Sequence, residues 1–257
     1  MRRNNKEIAY TSYTEFIEHT HANRASSLAR FALNTDRTWY HDVSYEHSLS
    51  LARKGWKDGR ATAKAFLSKL DFASRVHKPE IRFDVVGDCG FDMGRYLNGE
   101  PECMMTWSPE PNSQKAHIVV DVAASAGIDA AVLVKRGAAV VALIEALEAA
   151  RVIVEVTAIF YDPNYPCIKV PIKQAGKTTQ KDQIIYAIAH PAFMRRFCHL
   201  ALGHGIMPTK HNNPKQAFGA DIYIPPMDLR AINWKDDVAV VKWIAAFLKV
   251  YNVSLNK

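Results

Sequence analysis

An α/β fold, with a largely parallel sheet flanked by helices and a helical N-terminal extension, is predicted by three features of this sequence. His117–Asp121 is a short β-branched run ending in a carboxylate, and Val152–Phe160 is a second such run. Between them, Val134–Ala150 repeats apolar residues at helical spacing, with Val140, Leu143, Ile144 and Leu147 on one face. Strand, helix, strand is the unit of a parallel sheet, whose buried strands read as continuous apolar runs. The third feature is composition: 257 residues, 48% hydrophobic and 23% charged with 12 Gly and 12 Pro, describe a globular chain rather than a disordered or collagenous one.

Taken in order, residues 1–78 read as a helical region. Apolar positions fall at helical spacing in Ser44–Trp56 (Tyr45, Leu49, Ala52, Trp56) and in Thr62–Phe72 (Phe66, Leu67, Leu70), with a turn at Lys57-Asp58-Gly59. Residues 79–257 read as the α/β domain. Ile81–Val86 alternates as a strand, and Pro101, Pro109 and Pro111 mark a loop-rich stretch before the central unit. Ile168–Ile172 is the next strand, and Gln174–Lys181 is a polar loop. A helix over Asp182–Leu202 follows, with Pro191 inside or breaking it. Asp221–Ile224 is a further strand, and Asp236–Val250 a closing amphipathic helix.

The opening residues lack the apolar stretch of a signal peptide, and the most apolar run, Ala138–Ala150, carries Glu145 and Glu148. Cys89, Cys103, Cys167 and Cys198 lie far apart, with neither disulfide-framework nor zinc spacing. The expectation is a cytoplasmic chain that crosses no membrane. The formal net charge of +7 is unevenly spread: +5 over residues 1–77, −6 over 78–167 and +8 over 168–257. Basic ends attract polyanions by releasing counterions, which makes nucleic acid a candidate partner.

A right-handed crossover puts the loop after Asp121 at the carboxyl end of the sheet, where such folds bind ligands. An Asp there with a hydroxyl four residues on, as in Asp121-Val122-Ala123-Ala124-Ser125, turns two oxygens toward one point and can hold a hard cation. At this point the chain resembles the von Willebrand factor A-like (Rossmann-like) domains. Their metal-ion-dependent adhesion site takes D-x-S-x-S after the first strand, a Thr from a later loop and an Asp beyond the fourth strand. The resemblance, over residues 115–257, implies Asp121, Ser125, Thr178 or Thr179, and Asp228 as ligands of Mg2+, with a protein partner docking on that edge. Position 123 is Ala, which removes one hydroxyl ligand and weakens any such site. The alternative is that Asp121 caps the following turn and Ser125 starts a helix, with no metal.

A second resemblance, carried by Trp39-Tyr40, Val43-Ser44-Tyr45-Glu46 and Leu51 to Gly59, is to phage proteins with a comparable helical front end. Among these the chain looks most like the single-stranded-DNA-binding transcription factors of N4-like phages, which recruit the phage RNA polymerase. That resemblance implies a non-enzymatic adaptor in the host cytoplasm, a transcription accessory factor. Arg37, Trp39, Tyr40, Arg53, Lys54, Trp56, Lys57 and Arg60 combine rings that can stack on bases with cations that can hold phosphates, although aromatic residues at helical spacing also suit a core. Domains of this type also serve as recruiting subunits of hexameric ATPases, a further reading of the same features.

Other constellations carry less. Lys173, Lys177, Lys181, Arg195 and Arg196 form a second basic set, read as a solvated face. Gly176-Lys177-Thr178 lacks the earlier glycine of a phosphate loop, position 171 being Pro, which has no N–H to offer. His190, Cys198, His199, His204 and His211 fit no zinc spacing, and a helix turns Cys198 and His199 apart by about 100°. Asp84, Asp88 and Asp92 could join Asp121 in a metal-dependent hydrolase or nuclease, or could organise the turns around Gly87, Gly90 and Gly94.

Overall fold

The computed structural model describes residues 2–3, 7–24, 40–41, 43–69, 81–87, 90–107, 114–124, 127–161, 166–175, 180–202, 219–226, 234 and 236–251. In chain order the elements are β1 (Arg2–Arg3), β2 (Glu7–Ala9), α1 (Tyr13–Ala22), α2 (Tyr45–Lys54), α3 (Gly59–Leu67), β3 (Ile81–Asp84), β4 (Gly90–Phe91) and α4 (Met93–Leu97). They continue with β5 (Met104–Trp107), β6 (Lys115–Asp121), α5 (Ala130–Ala149), β7 (Ile153–Phe160), β8 (Cys167–Lys173) and α6 (Lys181–Ala189). A π-helix (Phe193–Cys198), α7 (His199–Leu202), β9 (Ile222–Ile224) and α8 (Asp237–Val250) complete the order. They form two compact units, one of Met1–Ala73 with Lys115–Lys257, the other of Ser74–Gln114.

The larger unit is a mixed α/β structure around a six-stranded sheet of order β1-β2-β8-β7-β6-β9. β6 pairs in parallel with β7 on one side and β9 on the other, β2 runs parallel to β8, and β8 is antiparallel to β7. One sheet face, including Ile118, Val120, Val156, Ala158 and Val170, shares a continuous core with the described helices. Val119, Ile159 and Cys167 form a separate cluster with Tyr161, Ala220 and Tyr223.

Local chemistry explains the helix limits. Ser12 caps α1 by accepting from the Glu15 N–H (3.1 Å), while the Glu15 carboxylate reaches back to the N–H and hydroxyl of Thr11 (2.7 and 2.8 Å). Asp129 caps α5 through the Ala131 N–H at 2.7 Å, which starts this helix at Ala130 rather than at Val134. Twelve of its 20 residues are buried, on all sides rather than on a single stripe, as suits a helix enclosed by its neighbours. Gly137 permits the tightest of these approaches, since a Cβ there would lie 2.1 Å from the Ala189 Cα of α6. α2 ends at Gly55, whose φ of +90° suits glycine and whose position leaves no room for a Cβ against Asp182.

Three expectations change. The N-terminal region read as helical also supplies β1 and β2, and its helices belong to the same compact unit as the sheet. The helix expected over Asp182–Leu202 breaks at His190, which is extended (φ −84°, ψ 123°) because the ring of Pro191 excludes the helical conformation from the residue before it. The chain then resumes as the π-helix, a geometry that sequence periodicity does not encode.

The smaller unit is a three-stranded antiparallel sheet of order β3-β5-β4 with α4 after β4. Asp92 caps α4 through the Arg95 N–H (3.0 Å), and the Arg95 guanidinium lies 4.0 Å from the centre of the Phe83 ring.

Candidate functional site

β6 carries the site to the carboxyl edge of the sheet. Asp121, its last residue, is fully buried. Its Oδ1 accepts from the N–H of Ala123 (3.0 Å) and of Tyr161 (3.4 Å), and its Oδ2 from the hydroxyl of Tyr223 on β9 (3.3 Å). Arg136, buried on α5, donates from one Nη to the carbonyl of Asp121 (3.0 Å) and to that of Pro225 just past β9 (2.6 Å). One guanidinium thus ties together the chain leaving β6 and the chain leaving β9. Burial pushes the Asp121 carboxyl up to about 7, against the opposing pull of these donors and of Arg136. Burial likewise lowers Arg136 to about 10 despite the nearby carboxylate, so desolvation exceeds mutual attraction for both groups.

Of the residues expected to ligate Mg2+, only Asp121 is among those described; Ser125, Thr178, Thr179 and Asp228 lie outside them. Each Asp121 carboxylate oxygen accepts from a protein donor beside Arg136, and Oδ2, with the single donor Tyr223, keeps a lone pair beyond that bond. Among the described residues no group of three or more His, Cys, Asp or Glu side chains is arranged to hold a metal ion. The N–H of Ala123 bonding Asp121 Oδ1 is the turn-capping arrangement, built on backbone and so indifferent to the missing hydroxyl at position 123.

The aromatic members of the expected nucleic-acid set are core residues where they are described. Trp56 is 7% exposed and packs edge-on against His190 (4.7 Å) and His41 (5.9 Å). Tyr40 is fully buried with the Arg196 guanidinium 3.7 Å from its ring centre. Neither ring can stack on a base, because its faces are already covered. Arg53 forms a two-point pair with Glu18 (2.9 and 2.7 Å), and Arg60 pairs with Asp182 at 2.7 Å, whereas Lys54 and Lys57 are exposed. Arg37 and Trp39 lie outside the described residues.

The second basic set is also corrected. Lys173 is buried and reaches the Val154 carbonyl (3.0 Å) and Glu148 (3.1 Å), and Arg195 and Arg196 on the π-helix are buried too. They donate to the carbonyls of Ile128 (2.6 Å) and Val43 (2.8 Å), joining distant segments. Lys181 keeps an exposed ion pair with Glu145 at 3.7 Å, and Lys177 is outside the described residues. Cys198 is a buried thiol raised well above its ordinary pKa by burial, a packing group rather than a nucleophile. In the smaller unit Asp84 accepts from the Val85 N–H (2.6 Å) and Asp92 caps α4, so both act on turns; Asp88 is not among the described residues. Sequence reasoning missed Arg136 and misread Arg195 and Arg196 as solvated; the signal for all three was arginine inside otherwise apolar runs.

Among the described residues no helix is long and apolar enough to cross a membrane. No curated protein and no solved structure matches the sequence significantly. A family model described as a domain of unknown function, DUF7192, matches residues 2–252. With nearly its whole length matched, the chain belongs to the DUF7192 family.

Proposed function

We propose that the protein is a non-enzymatic adaptor that docks a protein partner on the carboxyl edge of the sheet around Asp121. The observation that supports it is the bridging of that edge by Arg136, which holds the exits of β6 and β9 side by side. The topology agrees with a von Willebrand factor A-like arrangement: β6 is central, β7 is reached through α5, and β9, the fourth strand counted from β6, returns to the other side of it. Ser125 follows Asp121 by four residues, and Asp228 follows Ile224 by four, so both segments leave the sheet from neighbouring strand ends. The buried Arg136 guanidinium holds this edge together without a metal ion, so the docking reading does not require Mg2+. The specific form of this reading is a phage transcription accessory factor whose partner is an RNA polymerase, with recruitment to an ATPase as the alternative partner class. Contact with single-stranded DNA would fall to exposed cations such as Lys54 and Lys57 rather than to rings.

The test is a pull-down from host lysate with the wild-type chain and with Ala123→Arg, each with Mg2+ and with chelator. A partner retained by the wild type in both buffers and lost with Ala123→Arg supports the adaptor without a metal. Retention abolished by chelator would restore a cation to the edge. Equal retention by both proteins would move the docking surface elsewhere. Alongside it, Lys54→Ala with Lys57→Ala should lower single-strand affinity and its salt dependence; unchanged binding would remove DNA from this surface.

A further inference from the structure

Among the described residues eight large apolar side chains stand exposed, and they fall on two surfaces. Six of them, Val85, Val86, Phe91, Met93, Tyr96 and Leu97, belong to the smaller unit, and the other two, Val238 and Val250, to α8 of the larger one. Single exposed apolar residues need no explanation, whereas a contiguous group marks a contact surface.

The six are gathered at one end of the small sheet. Asp84 on β3 and Phe91 on β4 both pair with Met104 of β5, one from either side, so Val85 and Val86 leave β3 at the level where β4 passes into α4. The Asp92 N–H donates to the Cys103 carbonyl (2.8 Å), which holds α4 to that end, and the Phe91 and Tyr96 rings lie 5.1 Å apart. Little core lies behind them. Among the described residues of this unit only Cys103, a free thiol, is buried, and some 40 residues is the size at which a fold calls for a disulfide, a metal or a covering partner.

The two surfaces carry opposite charge. Ser74–Gln114 holds four Lys and Arg against seven Asp and Glu, a net −3, which leaves +10 on the larger unit. Asp84 and Glu102 are exposed at the apolar end of the small sheet. On α8, Val238, Lys242, Lys249 and Val250 share the face turned away from the buried Val240, Ile244 and Leu248, while Asp237 is committed to ion pairs with Lys69 and Lys135. An acidic apolar surface and a basic apolar one thus fit each other both by apolar burial and by charge.

We propose that the protein pairs with a second copy of itself, the apolar end of the smaller unit of each copy docking on α8 of the other. Two such contacts around a twofold axis close the assembly at a dimer. Neither surface includes the Asp121 edge, so this pairing is separate from the docking of a foreign partner.

The test is sedimentation velocity of the full chain over a range of concentrations. A dimer should form with a dissociation constant at or below about 10 μM in about 0.05 M NaCl, and about 0.5 M NaCl should weaken it several-fold. Tyr96→Ser with Leu97→Ser should weaken it about tenfold or more, and so should Lys242→Glu with Lys249→Glu, which sets acid against acid. Lys54→Glu with Lys57→Glu, the same charge change on and beside α2, should leave it within about twofold. All six positions are exposed, so circular dichroism should show the wild-type fold in each variant. A monomer at every concentration, or pairing that salt strengthens, that survives either test pair, or that is lost equally with the Lys54 and Lys57 changes, would each overturn the proposal.

Discussion

Replacing Asp121 with Asn should change how stability depends on pH more than it changes the fold. The carboxyl titrates at about 7 in the folded chain against an ordinary 3.8. Between those values the folded state holds a proton that the unfolded state has lost, so the Asp121 contribution to stability is fully present below pH 4 and falls as pH rises to 7. A difference of about 3 units corresponds to about 4 kcal/mol, at up to about 1.4 kcal/mol per pH unit. The asparagine side chain keeps the geometry, its Oδ1 accepting from Ala123 and Tyr161 and its Nδ2 donating to the Tyr223 oxygen. The groups facing position 121 are Arg136 from α5, Tyr223 from β9, Tyr161 after β7, Cys167 from β8 and Cys198 from the π-helix. Burial keeps the Tyr223, Cys167 and Cys198 groups neutral through this window, and Arg136 stays charged.

His190 works in the opposite direction. Burial lowers it to about 3 from 6.5, so its contribution is present above pH 6.5 and is lost as pH falls toward 3. The wild-type profile is therefore partly flattened by two opposed groups, and the diagnostic quantity is the difference between variant and wild type. In urea unfolding followed by tryptophan fluorescence, the Asp121→Asn variant should gain on the wild type steadily from pH 4.5 to 7, by about 3 kcal/mol in all, and level off above that. A difference that stays constant, or that favours the wild type as pH rises, would refute the buried, underpaired carboxyl.

Gly137→Val should cost about 3 kcal/mol or more, because its Cβ meets the α6 backbone at 2.1 Å and backbone cannot turn aside. Gly127→Ala, with open space around its Cβ, should stay within about 0.5 kcal/mol in the same thermal-melt comparison. Ser12→Ala removes the cap that accepts from the Glu15 N–H and should cost about 1 kcal/mol by urea unfolding, with α1 amide exchange quickening from its first turn.

Much of the larger unit was legible because its elements obey simple periods. The β6–α5–β7 unit, β8, β9 and α8 all stand within a few residues of their sequence-derived limits, as each is an apolar run bounded by caps or turns. β2 was not legible: Glu7-Ile8-Ala9 is too short for a pattern, and it is a strand only because the edge of β8 accepts it. The break at His190 could be seen in Pro191, but the π-helix beyond it could not. At the candidate site the Asp121 position was readable from the strand end. Its environment was not, because two of its donors come from Tyr161 and Tyr223, remote in sequence, and Arg136, one charge within an apolar helix, carried no sequence signal of its role. The rings of Tyr40 and Trp56 illustrate the converse error, since an aromatic beside cations reads alike whether it faces solvent or the core.

The pairing of β2 with β8 also sets an order in time. Ile8 lies beside Ile168, so the partner of this strand emerges about 160 residues later, which at ordinary synthesis rates is roughly 8 to 30 s. During that interval β2 has only β1 to pair with, and its joining to the rest of the sheet must wait for a long-range encounter with β8. The edge of β8 is thus covered by residues made long before β8 itself.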